Sequence, residues 1–348
     1  ARRTDGSWSL PEGGFLIWGR TITGPALRIE AGAAPAFTAL SGAGARAPVT
    51  QGPMNYRHAF HAGNFADVLK HVVLALCVEH LKRKDKPFRY IDTHAGIGAY
   101  DLTSDMARRS PEWRDGAAKV LDADMPGEVA GALAPWRSVI EAMNPGGALQ
   151  TYPGSPEIAA RLMREGDRLH LCELHADDAR ALDQRYRTEA RAKVEAREGY
   201  AALSALVPPR ERRGLVLVDP PFEDRDEMAH MAEAAVEAIP KWPGGTYVFW
   251  RPLKDLWAAE RFDVGLADWL IEELELEPEK ILRADLWVSD PGGEGKLAGA
   301  GVVVVNPPYT LEAALLPVLP WLCETLKRGA GAGWRLDGAL TEAALDEG

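Results

Sequence analysis

The sequence has very little cysteine: Cys77, Cys172 and Cys323 are the three cysteines among 348 residues. Their odd number and wide spacing exclude a disulfide framework and do not make a set of zinc ligands. So few thiols are typical of a reducing compartment, and we expect a cytoplasmic protein.

Long hydrophobic runs are also missing. No apolar stretch approaches the roughly 20 residues that a membrane-spanning helix needs. The first residues contain no charged region followed by an apolar core and a cleavage site. Both absences disfavour a membrane partner and export, and no pattern indicates an obligate protein partner.

Positive charge is in deficit, since 40 Lys and Arg face 51 Asp and Glu, giving a formal net charge of -11. Nucleic acid is therefore not bound mainly by bulk electrostatic attraction, which requires clustered basic residues. A local basic face remains open, although each basic cluster alone is typical of a solvated surface. The clusters are Lys82-Arg83-Lys84 with Lys86, Arg108-Arg109 with Arg114, and Arg210 with Arg212-Arg213.

Residues 1–53 differ from the rest of the chain. They are rich in Ala, Gly, Pro and Thr, contain no Lys, and show no sustained helical or strand period. We expect them to be a disordered or non-native extension outside the fold, with Met54 as the natural start.

From Asn64 onward, periodic apolar segments indicate alternating helices and strands, which predicts a doubly wound α/β sheet. We predict one domain from 54–100 and 151–328, an inserted helical subdomain at 101–150, and a flexible tail at 329–348. The predicted strands are 88–91, 169–172, 192–196, 214–218, 246–250, 281–288 and 301–305; the predicted helices are 64–84, one starting at 155, and 176–189, 200–206, 226–239 and 263–275.

The tetrapeptide Asp219-Pro220-Pro221-Phe222 directly follows the apolar strand 214–218. Proline removes a ladder donor and fixes φ, so the strand must end there as a rigid, extended lip. Asp219 and the Pro220 carbonyl can accept both hydrogens of an exocyclic amino group, and Phe222 offers a stacking surface for a flat base. The pattern indicates an amino-methyltransferase, although Asp-Pro-Pro is also ordinary turn punctuation.

A second copy of this pattern, Asn306-Pro307-Pro308-Tyr309, follows the strand 301–305. The loop 292–295 before that strand is too short for a crossover helix, so we expect an antiparallel hairpin. Ligands gather at the carboxyl ends of parallel strands, and the end of an antiparallel strand lies at the opposite edge. We therefore interpret 306–309 as structural.

Acidic residues close four successive predicted strands, at Asp92, Glu173, Glu198 and Asp219. Gly96-x-Gly98 follows the first strand and lets the backbone approach a ligand, but the third glycine of the dinucleotide fingerprint is absent. Glu173 suits ribose hydroxyls, and Glu198 with Gly199 suits an adenine ring and its amino group. An acidic edge of this kind favours S-adenosylmethionine, which has a positive sulfonium and no phosphate.

Five of the eight histidines fall between His58 and His94. The pair His58-x-x-His61 lacks a helical partner motif and a completing carboxylate set, so we predict no metal site there. Capping, packing and substrate contacts are the alternatives.

Six sequence blocks together resemble the RlmJ family of large-subunit ribosomal RNA adenine-N6 methyltransferases, over Met54 to about residue 325. The opening block and the Tyr-Pro-Gly-Ser-Pro block are the most specific. They are NYRHAFHAGN at 55–64, ADVLKH at 66–71, DTHAG at 92–96, YPGSP at 152–156, ELH at 173–175 and DPPF at 219–222.

The resemblance implies a Rossmann-like methyltransferase fold with a helical insertion, S-adenosylmethionine as cofactor, and 23S ribosomal RNA as partner. It assigns catalysis to Asp219, which acts with Pro220 and Phe222, and a substrate contact to Tyr56. The cofactor contacts it implies, taken with the glycine loop, are Lys70, His71, His94, Gly96, Ser155, Glu173, Glu198, Gly199 and Asp219. Glu198 stands where we expect Asp, and the longer acid still reaches an amine.

Three alternatives remain open from the residues alone. The same lip could serve a DNA adenine-N6 or a ribosomal RNA guanine-N2 methyltransferase. A non-catalytic RNA-binding protein could retain a methyltransferase fold, although the complete series of acids argues against it. A dehydrogenase is disfavoured by the missing third glycine.

Overall fold

The computed structural model describes residues 57–291 and 297–338, together with two short strands nearer the start of the chain, β1 (Leu16–Ile17) and β2 (Arg20–Thr23). Strands and helices then alternate along most of the chain. In order they are α1 (Phe65–Lys82), β3 (Arg89–Asp92), β4 (Ala99–Asp101), α2 (Asp105–Arg109), α3 (Ala117–Asp122), α4 (Gly127–Met143), β5 (Thr151–Pro153), α5 (Ser155–Leu162), β6 (Arg168–Glu173), α6 (Ala176–Tyr186), β7 (Ala192–Ala196), α7 (Gly199–Leu206), β8 (Gly214–Val218), α8 (Glu227–Ala238), β9 (Thr246–Pro252), α9 (Leu256–Leu274), β10 (Ile281–Trp287), β11 (Gly299–Val305), α10 (Leu311–Leu326) and β12 (Gly333–Gly338).

One large sheet organises the molecule, with the strand order β1-β2-β12-β10-β11-β9-β8-β3-β6-β7. The five strands from β9 to β7 are parallel. The strand β11 inserts antiparallel between β9 and β10. The predicted doubly wound, mostly parallel sheet is confirmed, and β11, which was predicted to be the last strand, is antiparallel as expected although β12 follows it.

Helices cover both faces of this sheet, because its central strands are buried on both sides. One core joins the sheet to α1, α4, α5, α6 and α10. The other joins it to α7, α8 and α9. The carboxyl ends of the parallel strands lie together at one end of the sheet. We call this end, at right angles to the outermost strands, the open edge.

Helix α1 begins where Asn64 accepts hydrogen bonds from the backbone N–H groups of Ala66 and Asp67, both at 3.0 Å. The predicted helix at 64–84 is confirmed, and fourteen of the eighteen residues of α1 are buried. Since a buried charge needs a partner, Asp67 and Lys70 on this helix must be paired within the protein.

Helices α2, α3 and α4 lie between β4 and β5, which pair with each other as a separate antiparallel ribbon. The chain returns from α4 through the loop at 144–150. There the Asn144 side chain donates to the carbonyl oxygens of Ile140 and Thr151 and accepts from the N–H groups of Gln150 and Thr151. This one amide holds the end of α4 against the start of β5.

The predicted flexible tail at 329–348 is wrong for residues 333–338, which form β12 antiparallel to β10. Trp334 and Leu336 are buried on one face of this strand. On the other face, Arg335 forms an ion pair with Asp285 at 2.6 Å. Long-range burial and charge pairing therefore fix a segment whose local sequence has no strong signal.

The N-terminal extension was also predicted to lie outside the fold. This is wrong for residues 16–17 and 20–23, since β2 pairs antiparallel with β12 and β1 pairs with β2. The edge of β12 offers unpaired backbone groups, which a further strand satisfies. The rest of 1–53 lies outside the described residues.

The predicted hairpin of β10 and β11 is confirmed, with Ile281 opposite Val305. Asn306 follows β11 with φ of 53°, and its side-chain amide donates to the carbonyl oxygens of Pro243 and Gly245, each at 2.7 Å. These carbonyls precede β9, so Asn306 lies at the amino ends of the parallel strands and serves as a structural turn.

The helices in the described ranges include none that is both long and apolar enough to cross a membrane.

Candidate active site

Four acidic side chains line the open edge of the sheet. Asp92 ends β3, Glu173 ends β6, Glu198 follows β7 and Asp219 follows β8. These strands are parallel neighbours in the order β7-β6-β3-β8, so their carboxyl ends meet on one side. The predicted series of strand-end acids is a feature of the structure.

Glu173 is tied to the glycine loop after β3. Its carboxylate accepts from the backbone N–H of Gly96 at 2.8 Å and from that of His175 at 2.8 Å. Gly96 has φ of 59°, a conformation that favours glycine, and a Cβ there would displace the hydroxyl of Tyr100. Burial raises the pKa of Glu173, while the two backbone donors partly oppose the increase. Each oxygen keeps a lone pair for a ligand hydroxyl.

Asp92 is fully buried behind this loop. It accepts hydrogen bonds from the hydroxyls of Tyr90 at 2.6 Å and Ser155 at 2.7 Å, and from the backbone N–H of His94 at 3.2 Å. Burial raises the pKa of Asp92 to about 6. Ser155, a predicted cofactor contact, therefore has an internal role: it fixes Asp92 and the start of α5 relative to the loop.

Glu198 is the N-cap of α7, and its two carboxylate oxygens accept from the backbone N–H groups of Tyr200 and Ala201. The next residue, Gly199, was predicted to leave room for an adenine ring. The structure gives a different reason for this glycine. A Cβ on Gly199 would lie 2.5 Å from His94 Nε2 and 2.5 Å from the Thr93 carbonyl oxygen, so the loop after β3 occupies that space.

His94 is enclosed by these same elements. Its Nδ1 lies 2.8 Å from Thr93 Oγ1, and its ring meets the Tyr200 ring edge-on at 5.3 Å. Burial lowers the pKa of His94 to about 3, so the imidazole is neutral at physiological pH. A neutral ring can present one nitrogen as a donor and the other as an acceptor.

At the centre of this open edge, Lys70 forms ion pairs with both Asp67 and Asp219. Lys70 Nζ lies 2.8 Å from Asp67 Oδ1 and 2.5 Å from Asp219 Oδ2. Burial opposes the charge on Lys70, but Asp219 and Asp67 outweigh it and hold the pKa of the ammonium well above its usual value. The ring of Trp250 lies 5.8 Å from Nζ and closes one side of the ammonium.

Asp67 connects these ion pairs to the segment before α1. It accepts from the backbone N–H of Gly63 at 2.8 Å and lies 2.9 Å from His58 Nε2. Burial disfavours the carboxylate, yet His58 and Lys70 hold the pKa of Asp67 well below its usual value. Sequence reasoning missed Asp67 as a site residue. A charged residue at i and i+3 within an otherwise apolar helix, as at Asp67 and Lys70, was the signal that could have found it.

The segment at 219–222 places Phe222 against Trp250, the ring that also lies beside Lys70. Phe222 has φ of 52°, a left-handed conformation that is uncommon for a bulky residue. Its half-buried ring meets Trp250 edge-on, with ring centroids 5.5 Å apart. Pro220 is buried, so the lip is anchored between Asp219 and Phe222. Backbone strain of this kind is concentrated at functional sites. Trp250, which supports both Lys70 and Phe222, was not predicted.

Two predicted site residues remain, His71 and Tyr56. His71 is buried in α1, with Nδ1 3.0 Å from the Tyr152 hydroxyl, and burial lowers its pKa to about 3. The structure therefore pairs His71 with the β5 strand that leads into Ser155. Tyr56, the predicted substrate contact, lies outside the described residues.

Comparison with known proteins identifies the family. Residues 85–338 match the family described as ribosomal RNA large subunit methyltransferase D, RlmJ. The chain is 40% identical over 270 residues to ribosomal RNA large subunit methyltransferase J of Escherichia coli strain K12, an alignment covering 77% of this chain and 92% of that protein. It is 37% identical over 286 residues to the protein of the same name from Haemophilus influenzae, covering 82% and 98%.

A solved structure of a protein from Legionella pneumophila str. Philadelphia 1 superimposes with a TM-score of 0.71 and 32% identity, covering 80% of this chain and 98% of that one. The predicted fold class and the resemblance are therefore both confirmed. The chain belongs to the RlmJ family of ribosomal RNA large-subunit methyltransferases.

Proposed function

We propose that this protein methylates the N6 atom of a specific adenine in 23S ribosomal RNA, converting S-adenosylmethionine to S-adenosylhomocysteine. The observation that carries the proposal is the Asp219 carboxylate, held at the end of a parallel strand by a buried ammonium beside an aromatic lip. Family membership supports the same reaction class.

The residues at the sheet edge fit S-adenosylmethionine. Glu173 has acceptor capacity for ribose hydroxyls, and the Glu198 carboxylate has acceptor capacity for the adenine amino group. An edge lined by four acids suits a cationic cofactor without phosphate. When bound, the cofactor supplies an electrophilic methyl group on its sulfonium.

The lone pair of the adenine amino group is conjugated into the ring, so the protein has to make this nitrogen more nucleophilic. Lys70 engages Asp219 Oδ2, which leaves Oδ1 to accept one N6–H. The carbonyl of Pro220 accepts the other. Two acceptors on one amino group favour a pyramidal nitrogen with a more available lone pair, and fixed positioning supplies the proximity contribution.

Asp219 then takes the proton that N6 loses as the new N–C bond forms, and passes it to water. A strong base is unnecessary because the methylated nitrogen is acidic. The target base has to leave its stack to reach this depth. Phe222, and Tyr56 at the start of the domain, are the proposed stacking surfaces for it.

The test is transfer of a labelled methyl group from S-adenosylmethionine to 23S RNA transcribed without modifications, followed by identification of the labelled nucleoside. N6-methyladenosine is the expected product. Asp219→Ala should abolish transfer, with a decrease of at least about 10²-fold, while cofactor affinity is largely retained. Near-normal turnover by this variant would overturn the role of Asp219.

Parallel reactions with DNA and with 16S RNA separate the related possibilities. Label on DNA adenine or on guanine N2 would identify a different exocyclic-amine methyltransferase. No binding of S-adenosylmethionine at all would favour a non-catalytic RNA-binding protein. We expect naked RNA or an early assembly intermediate in the cytoplasm as the substrate, with no obligate protein partner.

A further inference from the structure

Strands β6 and β7 bring together a thiol, an imidazole and a carboxylate away from the site just described. His170 and Cys172 alternate along β6 and share one face of the sheet. The parallel register puts Glu195 of β7 beside Cys172. The potential ligand atoms of these three residues all lie within 4.8 Å of one another.

His170 lacks the hydrogen bonds that a buried imidazole requires. Its side chain is 3% exposed, and within the described part of the chain Nδ1 has no hydrogen-bond partner. Nε2 lies 3.3 Å from Glu195 Oε1, so its polar neighbour at this distance is the third member of the cluster. Polar groups buried in this way usually have a partner, and an unpaired one calls for an explanation.

We propose that His170, Cys172 and Glu195 bind one zinc ion, with water as a fourth ligand at the partly exposed Glu195 side. Imidazole nitrogen, thiolate sulfur and carboxylate oxygen are the three ligand types that zinc accepts in proteins. On binding, the Cys172 thiol loses its proton to solvent, so one thiolate and one carboxylate balance the charge of the ion.

The three cysteines alone had predicted no zinc set. A mixed set drawn from two neighbouring strands became visible only once their register was known, because neither His170-x-Cys172 nor Glu195 is a recognisable metal motif by itself.

Two basic side chains already pair with Glu195 and would compete with a metal ion for its carboxylate. Lys193 Nζ lies 2.5 Å from Glu195 Oε1, and Arg197 lies 3.4 Å from Oε2. The Lys193 side chain is 64% exposed, so it can swing into solvent when an ion takes its place. Zinc and the Lys193 ammonium should therefore compete for the same oxygen.

The proposed ion joins two strands that lead into the cofactor edge. Strand β6 ends at Glu173, and β7 leads directly to Glu198. An ion linking the strands would fix the spacing of these two acids. The site stands on its own geometry, so it does not depend on the substrate proposed above.

The first experiment uses the full chain, reduced, stripped with a chelator and desalted, and titrated with cobalt(II) as a spectroscopic substitute for zinc. The expected result is one ion per chain, with a thiolate-to-cobalt charge-transfer band that zinc displaces. Cys172→Ser and His170→Gln should each abolish the band, whereas Cys323→Ser should leave it unchanged. No such band, or one that persists in Cys172→Ser, overturns the proposal.

Lys193→Met is the second variant, and it keeps the question decidable if the buried substitutions impair folding. Removing the competing ammonium should tighten binding several-fold; unchanged or weaker affinity contradicts the site.

Discussion

Lys70 Nζ lies 2.5 Å from Asp219 Oδ2, which joins a buried position in the middle of α1 to the end of strand β8. The two residues are 149 positions apart in the sequence. Because Lys70 also contacts Asp67, its one positive charge is shared by two carboxylates. The orientation of the Asp219 carboxylate therefore depends on helix α1, which is not part of the sheet.

Lys70→Met should reduce methyl transfer by about 10²-fold or more, because Asp219 loses the contact that orients it. The variant also leaves the buried Asp67 without its ammonium, so we expect the free energy of unfolding to fall by about 3–5 kcal/mol. Activity is measured with saturating cofactor and stability by urea unfolding. Lys280→Met, at an exposed lysine near the amino ends of the parallel strands and outside the basic clusters, is the matched control and should change neither quantity.

Phe222→Ala should raise KM for RNA and leave cofactor affinity close to normal, since the ring is proposed to stack on the target base. Loss of one base–aromatic contact costs about 1–3 kcal/mol, or roughly 5- to 150-fold in kcat/KM. Phe222→Tyr retains a ring against Trp250 and should keep most of the activity. Equal activity of Phe222→Ala and wild type would remove the stacking role.

Gly199→Ala should weaken S-adenosylmethionine binding and destabilise the fold by about 1–3 kcal/mol. The added methyl would lie 2.5 Å from both His94 Nε2 and the Thr93 carbonyl oxygen, so α7 or the loop after β3 has to move. Gly244→Ala is the control, because a Cβ there meets no atom within 4 Å. Cofactor affinity by calorimetry and thermal unfolding would compare the two, and equal behaviour would refute the packing argument.

Gly301→Ala should strongly destabilise the protein without touching the active site. A Cβ at Gly301 would overlap the Asp285 carboxylate and the Arg251 guanidinium, which form a fully buried ion pair at 2.8 Å. Disrupting a buried pair costs about 3–5 kcal/mol. Urea unfolding measures the loss. Cofactor affinity at low temperature, where the variant is still folded, should remain normal.

Two histidines with lowered pKa values, His71 and His94, should make the protein less stable in acid. Burial lowers the pKa of both His71 and His94 to about 3, whereas an unfolded histidine titrates near 6.5. Below about pH 6.5 the unfolded chain takes up protons that the folded chain does not. Each histidine therefore lowers the free energy of unfolding by about 1.4 kcal/mol for each pH unit from about 6.5 toward 3.

Asp92 acts in the opposite direction over part of this range, because its folded pKa is raised to about 6. Its contribution is fully present below the unfolded pKa near 4 and is lost as the pH rises through 6. To isolate one histidine, unfolding free energies of wild type and His71→Gln are compared at several pH values between about 5 and 7. The variant's slope below about pH 6.5 should be smaller by about 1.4 kcal/mol per pH unit. Parallel curves would show that His71 is not a buried neutral group.

Local sequence was sufficient for the features that depend on chain periodicity and on residue type at strand ends. The alternation of strands and helices, the acids at Asp92, Glu173, Glu198 and Asp219, and the short connection before β11 were all readable without coordinates. The hairpin alone distinguished Asp219 from Asn306, because the direction of a strand decides which edge its end reaches.

Tertiary structure decided which side chains meet. The partner of Lys70, the role of Trp250 beneath Phe222 and the contact that makes Gly199 necessary all join distant elements, and no sequence spacing encodes them. The same holds for β12, which local sequence left as a tail although it is paired and buried in the sheet. Periodicity reports the environment of a segment along the chain. Pairing of charges and packing of rings depend on distances across the fold, which only the folded chain brings within a few ångströms.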